Sequence, residues 1–233
     1  MKWNKLIKPL VVSCLTPLAL MANAADDHMN FVTLIAGMDQ PVVSNDHANV
    51  SSAATTFAGG LEVGRKLNDM FAVGLEYSYR SKSSFDVADQ YNYTAGNNGG
   101  FQMSSVTWAV KSDVFMLNLT TNLVQDAKMS PYIKIGAGVT KNKSYDYVQT
   151  DDKTQVRTTF PGTTKNNFAW QLGAGVNVAM NDRFDIDFAY SYLNRGKVTT
   201  KAQLNNNVQN TSATAKNIKL ADHSFTLGVK FKF

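Results

Sequence analysis

The sequence offers little that could perform acid–base or nucleophilic catalysis. Its three histidines are His28, His47 and His223, and Ser224 follows the last of them. A serine nucleophile needs a histidine within hydrogen-bond reach and a third group that orients it. His223 and Ser224 are adjacent in a segment with strand periodicity, so their side chains point to opposite faces. Because no His, Asp and Glu residues have metal-ligand spacing either, the sequence predicts no enzyme, no cofactor and no metal site.

Basic residues are concentrated in long polar segments of the second half of the chain. They could bind a polyanion, such as the phosphates of lipopolysaccharide or a sulfated glycan of a host cell. The alternative is a solvated surface that its charge keeps soluble. The candidate contacts with a polyanion are Lys143, Lys153, Arg157, Arg195, Lys197, Lys201 and Lys216.

Residues 1–24 have the composition of a cleaved signal peptide. Three lysines precede a short apolar stretch at residues 9–20, and an Ala-Asn-Ala pattern ends at residue 24. We therefore expect an exported chain that begins at Ala25, with residues 25–233 as one domain. A lipoprotein cleaved at Cys14 is the alternative, but it would shorten the apolar stretch to residues 9–13. Loss of three lysines also lowers the formal charge of +5, which argues against a nucleic-acid partner.

The remaining sequence alternates apolar and polar residues in eight segments, which predicts eight β-strands. The clearest are FAVGLEYSYR, NFAWQLGAGVNVAM, FDIDFAYSY and the final HSFTLGVKFKF. Weaker ones are TFAGGLEVGR, YIKIGAGVT, SDVFMLNLTTNL and MNFVTLIAGM. Met116 blurs the alternation in the third of these, and the facing of the fourth is not assigned. No helical periodicity is sustained.

The segments between these strands alternate in length. KLNDM, QDAKMSP and MNDR are short, whereas residues 39–54, 81–105, 141–166 and 194–221 form long polar connections. Each strand has an apolar face, yet no helix or second sheet remains to cover it. Short turns at one end and long loops at the other are typical of outer-membrane barrels. The sequence therefore predicts an all-β fold, an eight-stranded antiparallel up-and-down transmembrane barrel with four long extracellular loops. A soluble lipocalin-like or sandwich protein is the alternative.

The opposite face of the strands carries charges that would point into the barrel. They could line a selective pore, or they could pair with one another as a structural network. The interior of eight strands is just wide enough for side chains to fill, and an unpaired buried charge costs several kcal/mol. The second interpretation is therefore favoured. The residues of the predicted network are Glu62, Glu76, Arg80, Lys134, Asp185, Asp187 and Lys230.

Three stretches resemble a known family, namely PYIKIGAGVT, DRFDIDFAYSY and the ending FTLGVKFKF. With them the chain resembles the small outer-membrane barrels of Gram-negative bacteria, and most of all the opacity-type surface proteins. The resemblance implies a cell-surface location with loops that bind host receptors. It also implies that the last strand is a signal for the barrel-assembly machinery, carried by Phe225, Leu227, Val229, Phe231 and Phe233.

The predicted function follows from the small barrel and its long polar loops. We expect an adhesin or another surface-binding protein of the outer membrane that acts through its extracellular loops. Its predicted partners are outer-membrane lipid and lipopolysaccharide, the assembly machinery, and a host receptor or sulfated glycan. A narrow porin-like channel for small solutes is the alternative.

Overall fold

The computed structural model of the protein is built of antiparallel strands. It describes residues 29–44, 49–93, 100–124, 128–145, 147–151, 157–199 and 217–233. None of these residues belongs to a helix long and apolar enough to cross a membrane. The strands are β1 (Asn30–Ser44), β2 (Asn49–Ala53), β3 (Thr56–Lys66), β4 (Phe71–Tyr93), β5 (Gly100–Asn122), β6 (Met129–Ser144), β7 (Tyr147–Asp151), β8 (Arg157–Phe160), β9 (Thr164–Ala179), β10 (Phe184–Thr199) and β11 (Asn217–Lys232).

Eight long strands form a closed barrel. In order around the barrel they are β1, β3, β4, β5, β6, β9, β10 and β11, and each pairs antiparallel with the next. The pairing of β1 with β11 joins the first strand to the last and closes the sheet. Closure leaves no unpaired edge in the wall, which lipid would penalise. The predicted eight-stranded up-and-down barrel is confirmed.

Three short strands lie at one end of the barrel and lengthen its wall there. β2 pairs with residues 85–88 of β4, β7 pairs with residues 104–107 of β5, and β8 pairs with β7. We call this end of the barrel the extended end. The opposite end, where the short connections lie, is the turn end.

Two of the short turns use the same side-chain chemistry. The Oδ1 atom of Asn68 accepts hydrogen bonds from the backbone N–H groups of Met70 and Phe71, at 2.9 and 2.8 Å. Asn181 does the same for Arg183 and Phe184, both at 2.9 Å. An asparagine side chain that caps its own turn in this way fixes a tight reversal. These two turns therefore set the register of β3 with β4 and of β9 with β10.

The barrel wall is apolar outside and polar inside, the reverse of a soluble protein. Outward side chains such as Leu34, Leu75 and Phe168 are 63%, 60% and 66% exposed. Polar and charged side chains on the alternate positions are buried in the interior. We call the outward band of exposed apolar side chains the apolar belt. Its members include Leu34, Met38, Phe57, Leu75, Phe115, Leu117, Ile135, Val139, Phe168, Leu172, Phe188, Phe225, Leu227 and Val229.

The strands extend further than the sequence predicted. β4 runs to Tyr93 and β5 begins at Gly100, so most of the predicted loop at residues 81–105 is strand. β1, β6 and β10 also continue into the predicted loops, as do the starts of β9 and β11. The predicted bounds were wrong because they were placed where the outward apolar face ends. Backbone hydrogen bonds do not need that face, and the ladder continues beyond it.

The chemical character of the two faces of the wall reverses at the extended end. There the buried inward positions are apolar, while neighbouring outward positions carry lysines. On β5, for example, Val110 is fully buried and Lys111 faces outward. We call the inward apolar residues of this end the apolar plug, and it comprises Phe85, Val110, Val198, Ile218 and Leu220. Above the apolar belt the strands are therefore organised like those of a water-soluble barrel.

Candidate functional site

The middle of the barrel interior contains a cluster of two glutamates around one lysine. The Nζ atom of Lys134 donates a hydrogen bond of 2.9 Å to Glu62 and lies 3.9 Å from a carboxylate oxygen of Glu76. The side-chain amide of Asn118 donates to both carboxylates, at 3.2 and 2.8 Å. Gln171 donates to Asn118 at 2.6 Å. Five strands thus contribute to one hydrogen-bonded group, which we call the carboxylate cluster.

The remaining predicted charges lie nearer the turn end. Tyr132 donates a hydrogen bond of 2.7 Å to Asp187, and Lys232 donates one of 2.7 Å to Asp185. Lys230 donates to Asn177 at 2.8 Å, so its nearest polar partner is an amide. Six of the seven predicted network residues, all but Arg80, therefore lie in the middle or turn-end parts of the interior.

A second ionic group lies toward the extended end. Arg80 forms a buried ion pair with Asp39 and donates a hydrogen bond of 2.9 Å to Ser224. Ser224 in turn donates to Asp39 at 2.6 Å. The triad links β1, β4 and β11 across the point of closure. Asp39 and Ser224 were missed because the sequence placed Asp39 at the start of a loop and treated Ser224 only as a possible nucleophile.

Arg195 is not a loop residue that contacts a polyanion, as the sequence predicted. It is 1% exposed and lies inside the barrel, where its Nη2 atom donates a 2.6 Å hydrogen bond to Asp222. Its Nη1 atom donates to Ser112 at 2.9 Å. The strand has a bulge at Asn194–Gly196, where Gly196 has a φ of 76°. Arg195 keeps the inward parity of Asp187 and Leu193, and the bulge lets β10 continue with the parity changed, so that Val198 faces inward.

Together these groups fill the interior along its length. A cavity of about 30 Å³ lies between the carboxylate cluster and Arg80. Another, of about 70 Å³ and bordered by Glu62, Lys230 and Asp185, lies nearer the turn end. A water molecule needs about 10–15 Å³ of such space, so each holds only a few waters. The apolar plug lies on the other side of Arg195, toward the extended end.

The structure describes the side chains of only some of the remaining predicted polyanion contacts. Lys143 at the end of β6 and Lys197 on β10 have exposed side chains. Arg157 begins β8, and its side chain is outside the described part of the chain. Lys153, Lys201 and Lys216 also fall outside the described residues.

The outer face of the last strand carries the predicted assembly signal. Phe225, Leu227, Val229 and Phe231 are all exposed on the wall, at 60%, 49%, 49% and 37%. The Phe231 ring packs against Phe184 and the terminal Phe233, with centroids 5.1 and 5.8 Å apart. The outward face expected of these residues is observed, and recognition by an assembly machinery remains a prediction.

His223 and Ser224 point to opposite sides of the wall. Ser224 is buried inside, whereas His223 lies outside, with its Nδ1 atom 2.6 Å from the hydroxyl of Tyr190. The two side chains therefore do not form the serine–histidine pair of a hydrolase. Among the described residues, no three His, Cys, Asp or Glu side chains are grouped as metal ligands.

Comparison with known proteins agrees with this architecture. A family model for the outer membrane protein beta-barrel domain matches residues 10–233. The chain is 26% identical over 220 residues to outer membrane protein PagN of Salmonella typhimurium, and the alignment covers 92% of this chain and 89% of PagN. OprG from Pseudomonas aeruginosa superimposes with a TM-score of 0.54 at 14% identity, over 89% of this chain and 97% of OprG. Neisserial surface protein A gives a TM-score of 0.49 at 15% identity, over 88% of this chain and 97% of that protein.

The family match, the closed barrel and the apolar belt agree on the location of the protein. The apolar belt lies in the hydrocarbon of the outer membrane, the turn end faces the periplasm, and the extended end is exposed at the cell surface. The resemblance to small Gram-negative outer-membrane barrels is thereby confirmed. The chain belongs to the outer membrane protein beta-barrel domain family.

Proposed function

We propose that this protein is a binding protein of the bacterial surface, of the adhesin type, and that the extended end of the barrel makes the contact. The observation that supports this most is the filled interior. The carboxylate cluster, the Arg80–Asp39 and Arg195–Asp222 pairs and the apolar plug occupy it, and the two cavities beside them are of about 30 and 70 Å³. A barrel whose interior has no wide passage for solutes is best suited to act through its outer surface.

The extended end is suited to contact with a partner outside the cell. The strands carry the backbone well beyond the apolar belt, and the apolar plug gives this part a core of its own. A partner would therefore meet a preformed surface, which reduces the entropy lost on binding. Exposed Lys197 lies on this surface, and Lys201 and Lys216 belong to the connection that follows it in the sequence.

The partner that fits these lysines is a polyanion, and a sulfated glycan of a host cell is the form we propose. The test is binding of the purified, refolded protein to immobilised heparin, and to host cells with and without removal of sulfated glycans. In a Lys197→Gln/Lys201→Gln variant we expect binding to weaken by about two- to fivefold per charge removed. The matched control is Lys128→Gln/Arg183→Gln, which removes two exposed charges at the turn end.

Two results would overturn the adhesin proposal. One is equal binding by the two double variants, which would remove the extended end as the contact surface. The other is an absence of binding to any sulfated glycan or host cell by the folded protein. Arg195 is unsuitable for this test because its substitution would break the buried ion pair with Asp222.

A narrow channel for small solutes remains the competing function, and conductance in a planar bilayer distinguishes it. We expect no stable openings from the wild-type protein, because the apolar plug and the Arg195–Asp222 pair lie across the interior. Reproducible single-channel steps would favour transport and count against surface binding as the main role.

We also infer that the protein is exported by cleavage after Ala24. The composition of residues 1–24 supports this. Mass measurement of the protein extracted from outer membranes tests the inference, since a mass that still includes residues 1–24 would contradict it.

A further inference from the structure

We propose that a cluster of four lysines on the outer wall of β4, β5 and β6 binds the phosphate groups of a glycolipid in the outer leaflet. The four are Lys82, Lys111, Lys141 and Lys143, which we call the lysine wall. This site faces sideways into the membrane surface rather than away from the cell. It lies on the side of the wall where the extended end begins, and its ligand is a lipid of the same membrane, so it does not depend on the adhesin proposal.

The strand register places these lysines on one outward face. Lys111 of β5 is directly opposite Lys143 of β6, and Asp113 is opposite Lys141. The residues that alternate with them, Ser112 and Asn142, are buried in the interior. The lysines must therefore project from the outside of the barrel, next to one another.

One aromatic ring holds two of the lysines together. The Nζ atoms of Lys82 and Lys143 lie 5.0 and 5.7 Å from the centroid of the Tyr145 ring. An ammonium group within about 6 Å of an aromatic ring is attracted to its face. Tyr145 thus brings lysines from β4 and β6 to the two sides of Lys111, and the positive charge is concentrated within three neighbouring strands.

This arrangement is unfavourable without an anion. Like charges directly opposite each other on antiparallel strands destabilise a sheet, and Lys111 and Lys143 are such a pair. The carboxylate of Asp113 lies on the same face and accepts a hydrogen bond of 2.9 Å from Tyr77. It supplies one negative charge against the four lysines, which leaves the cluster strongly positive. A bound dianion such as a phosphate would neutralise the pair, so the geometry points to an anionic ligand.

The height of the cluster above the apolar belt identifies the ligand class. Phe115 and Val139 are 44% and 55% exposed, and Lys141 lies two residues beyond Val139, whereas Lys111 and Lys143 lie four residues beyond Phe115 and Val139. Two to four residues of strand correspond to about 7–14 Å along the strand, and strand tilt makes the height smaller, so the lysines lie beyond the apolar belt at the level of the lipid headgroups. A glycolipid offers acyl chains to the belt and phosphates to the lysines at the same time. A soluble sulfated glycan would use the lysines alone.

The test compares lipid A, a bisphosphorylated glycolipid, with the same lipid after removal of its phosphates. Binding to the refolded barrel in neutral detergent micelles is measured by native mass spectrometry and by the lipid-dependent rise in unfolding temperature. We expect the wild-type protein to prefer the phosphorylated lipid. In Lys111→Gln/Lys143→Gln the affinity for the phosphorylated lipid should fall about thirtyfold. Each lysine near an anionic surface contributes about fivefold to the affinity, and two lysines are removed.

Two further variants separate charge from structure. Lys128→Gln/Arg183→Gln removes two exposed charges at the turn end, on the opposite side of the apolar belt. We expect it to bind lipid A as the wild type does. Lys111→Arg/Lys143→Arg keeps the charge and should keep the affinity. In detergent without lipid, Lys111→Gln/Lys143→Gln should be as stable as the wild type or more so, because the repulsion is gone.

The proposal would be overturned by any of three results. The first is equal affinity of the wild type for phosphorylated and phosphate-free lipid. The second is unchanged lipid A affinity in Lys111→Gln/Lys143→Gln. The third is a competition experiment in which soluble heparin displaces bound lipid A at a lower concentration than added lipid A does. This result would make the lysine wall a glycan site. Should the glutamine variant fail to fold, NMR of the wild type decides: lipid A must shift the signals of residues 111 and 143 more than those of residues 128 and 183.

Discussion

Lys134 is the position where the interior of the barrel can be tested most sharply. It is the cation within 4.0 Å of both glutamates of the carboxylate cluster, at 2.9 Å from Glu62 and 3.9 Å from Glu76. Lys134→Met keeps most of the side-chain volume and removes the charge. Two carboxylates would then lie close together in the interior, held only by the amides of Asn118 and Gln171.

The expected cost can be bounded from two sides. Breaking a buried ion pair by removing one partner costs about 3–5 kcal/mol. The protein can escape part of this by protonating one glutamate, which at pH 7 costs about 4 kcal/mol for a carboxyl group of ordinary acidity. We therefore expect Lys134→Met to lower the free energy of unfolding by about 3–4 kcal/mol at pH 7. Since protonation becomes easier by about 1.4 kcal/mol per pH unit, the loss should shrink steadily toward pH 5.

The assay is equilibrium unfolding in urea of the barrel folded into lipid vesicles, followed at pH 7 and pH 5. A matched control is Glu62→Gln/Lys134→Met/Glu76→Gln, which removes all three charges and should recover most of the stability. A loss below about 1 kcal/mol for Lys134→Met at pH 7 would show that water reaches the cluster freely. A triple variant no more stable than Lys134→Met would show that the loss does not come from the two unpaired carboxylates, and it would refute the charge argument.

Three other outcomes follow from the geometry of the wall. Gly138→Val should prevent correct folding, because a Cβ atom there would meet the carbonyl oxygen of Phe115 at 1.9 Å, and the loss of the heat-modifiable folded band on a gel measures this. Gly196→Ala should cost about 1 kcal/mol or more in urea unfolding, since the φ of 76° favours glycine; an unchanged midpoint would contradict the role of the bulge. A nitroxide at Leu227 should be relaxed by oxygen dissolved in the bilayer far more than one at Thr226, which is on the inward face; equal relaxation would contradict lipid contact by the outer face.

The alternation of residue types was enough to predict the barrel and, for most strand positions, whether the side chain faces lipid or the interior. The prediction held where one face is apolar and the other polar, as on β10 from Phe184 to Tyr192. Met116 blurred the pattern on β5 for a physical reason. It is an inward residue, 2% exposed, that packs with Val114 and Leu193 in an apolar part of the interior. The sequence alone could not show that the interior is apolar there, because neighbouring inward positions such as Asn118 are polar.

Two predicted strands ended too early, near irregularities of the hydrogen-bond ladder. β4 was placed up to Arg80 and β10 up to Tyr192, and the register shifts just beyond those points, between Arg80 and Ser83 and between Asn194 and Gly196. A bulge adds a residue to one strand and changes which positions face inward beyond it. Strict alternation therefore cannot be followed past a bulge although the strand continues. Arg195 precedes that change and faces inward by alternation, and it was assigned to a loop because the outward apolar residues end at Tyr192.

The interior network was predicted only in its charged members. Glu62, Glu76 and Lys134 were found because a charge on an inward position is conspicuous in a sequence. Asn118 and Gln171 were not, although they lie on predicted inward faces and bond to those same carboxylates. Neutral amides carry no distinctive signal in one sequence, since they also occur at exposed positions. Their role becomes visible only when the register brings the strands together.

The change of residue types on the inner and outer faces at the extended end links the fold to the two proposed binding surfaces. In the apolar belt the outer surface must match lipid, which leaves little freedom for recognition. Once the strands pass the belt, the apolar plug takes over the stabilising role and the outward positions are free to carry charge. The lysine wall lies at this change, where Phe115 and Lys111 are four residues apart on one strand. In the two proposals, phosphate groups of the outer leaflet meet the wall at this height and a soluble partner meets the part of the barrel beyond it. One closed sheet would then bind lipid on its side and another partner at its end, with an interior packed from the carboxylate cluster to the plug holding both surfaces in place.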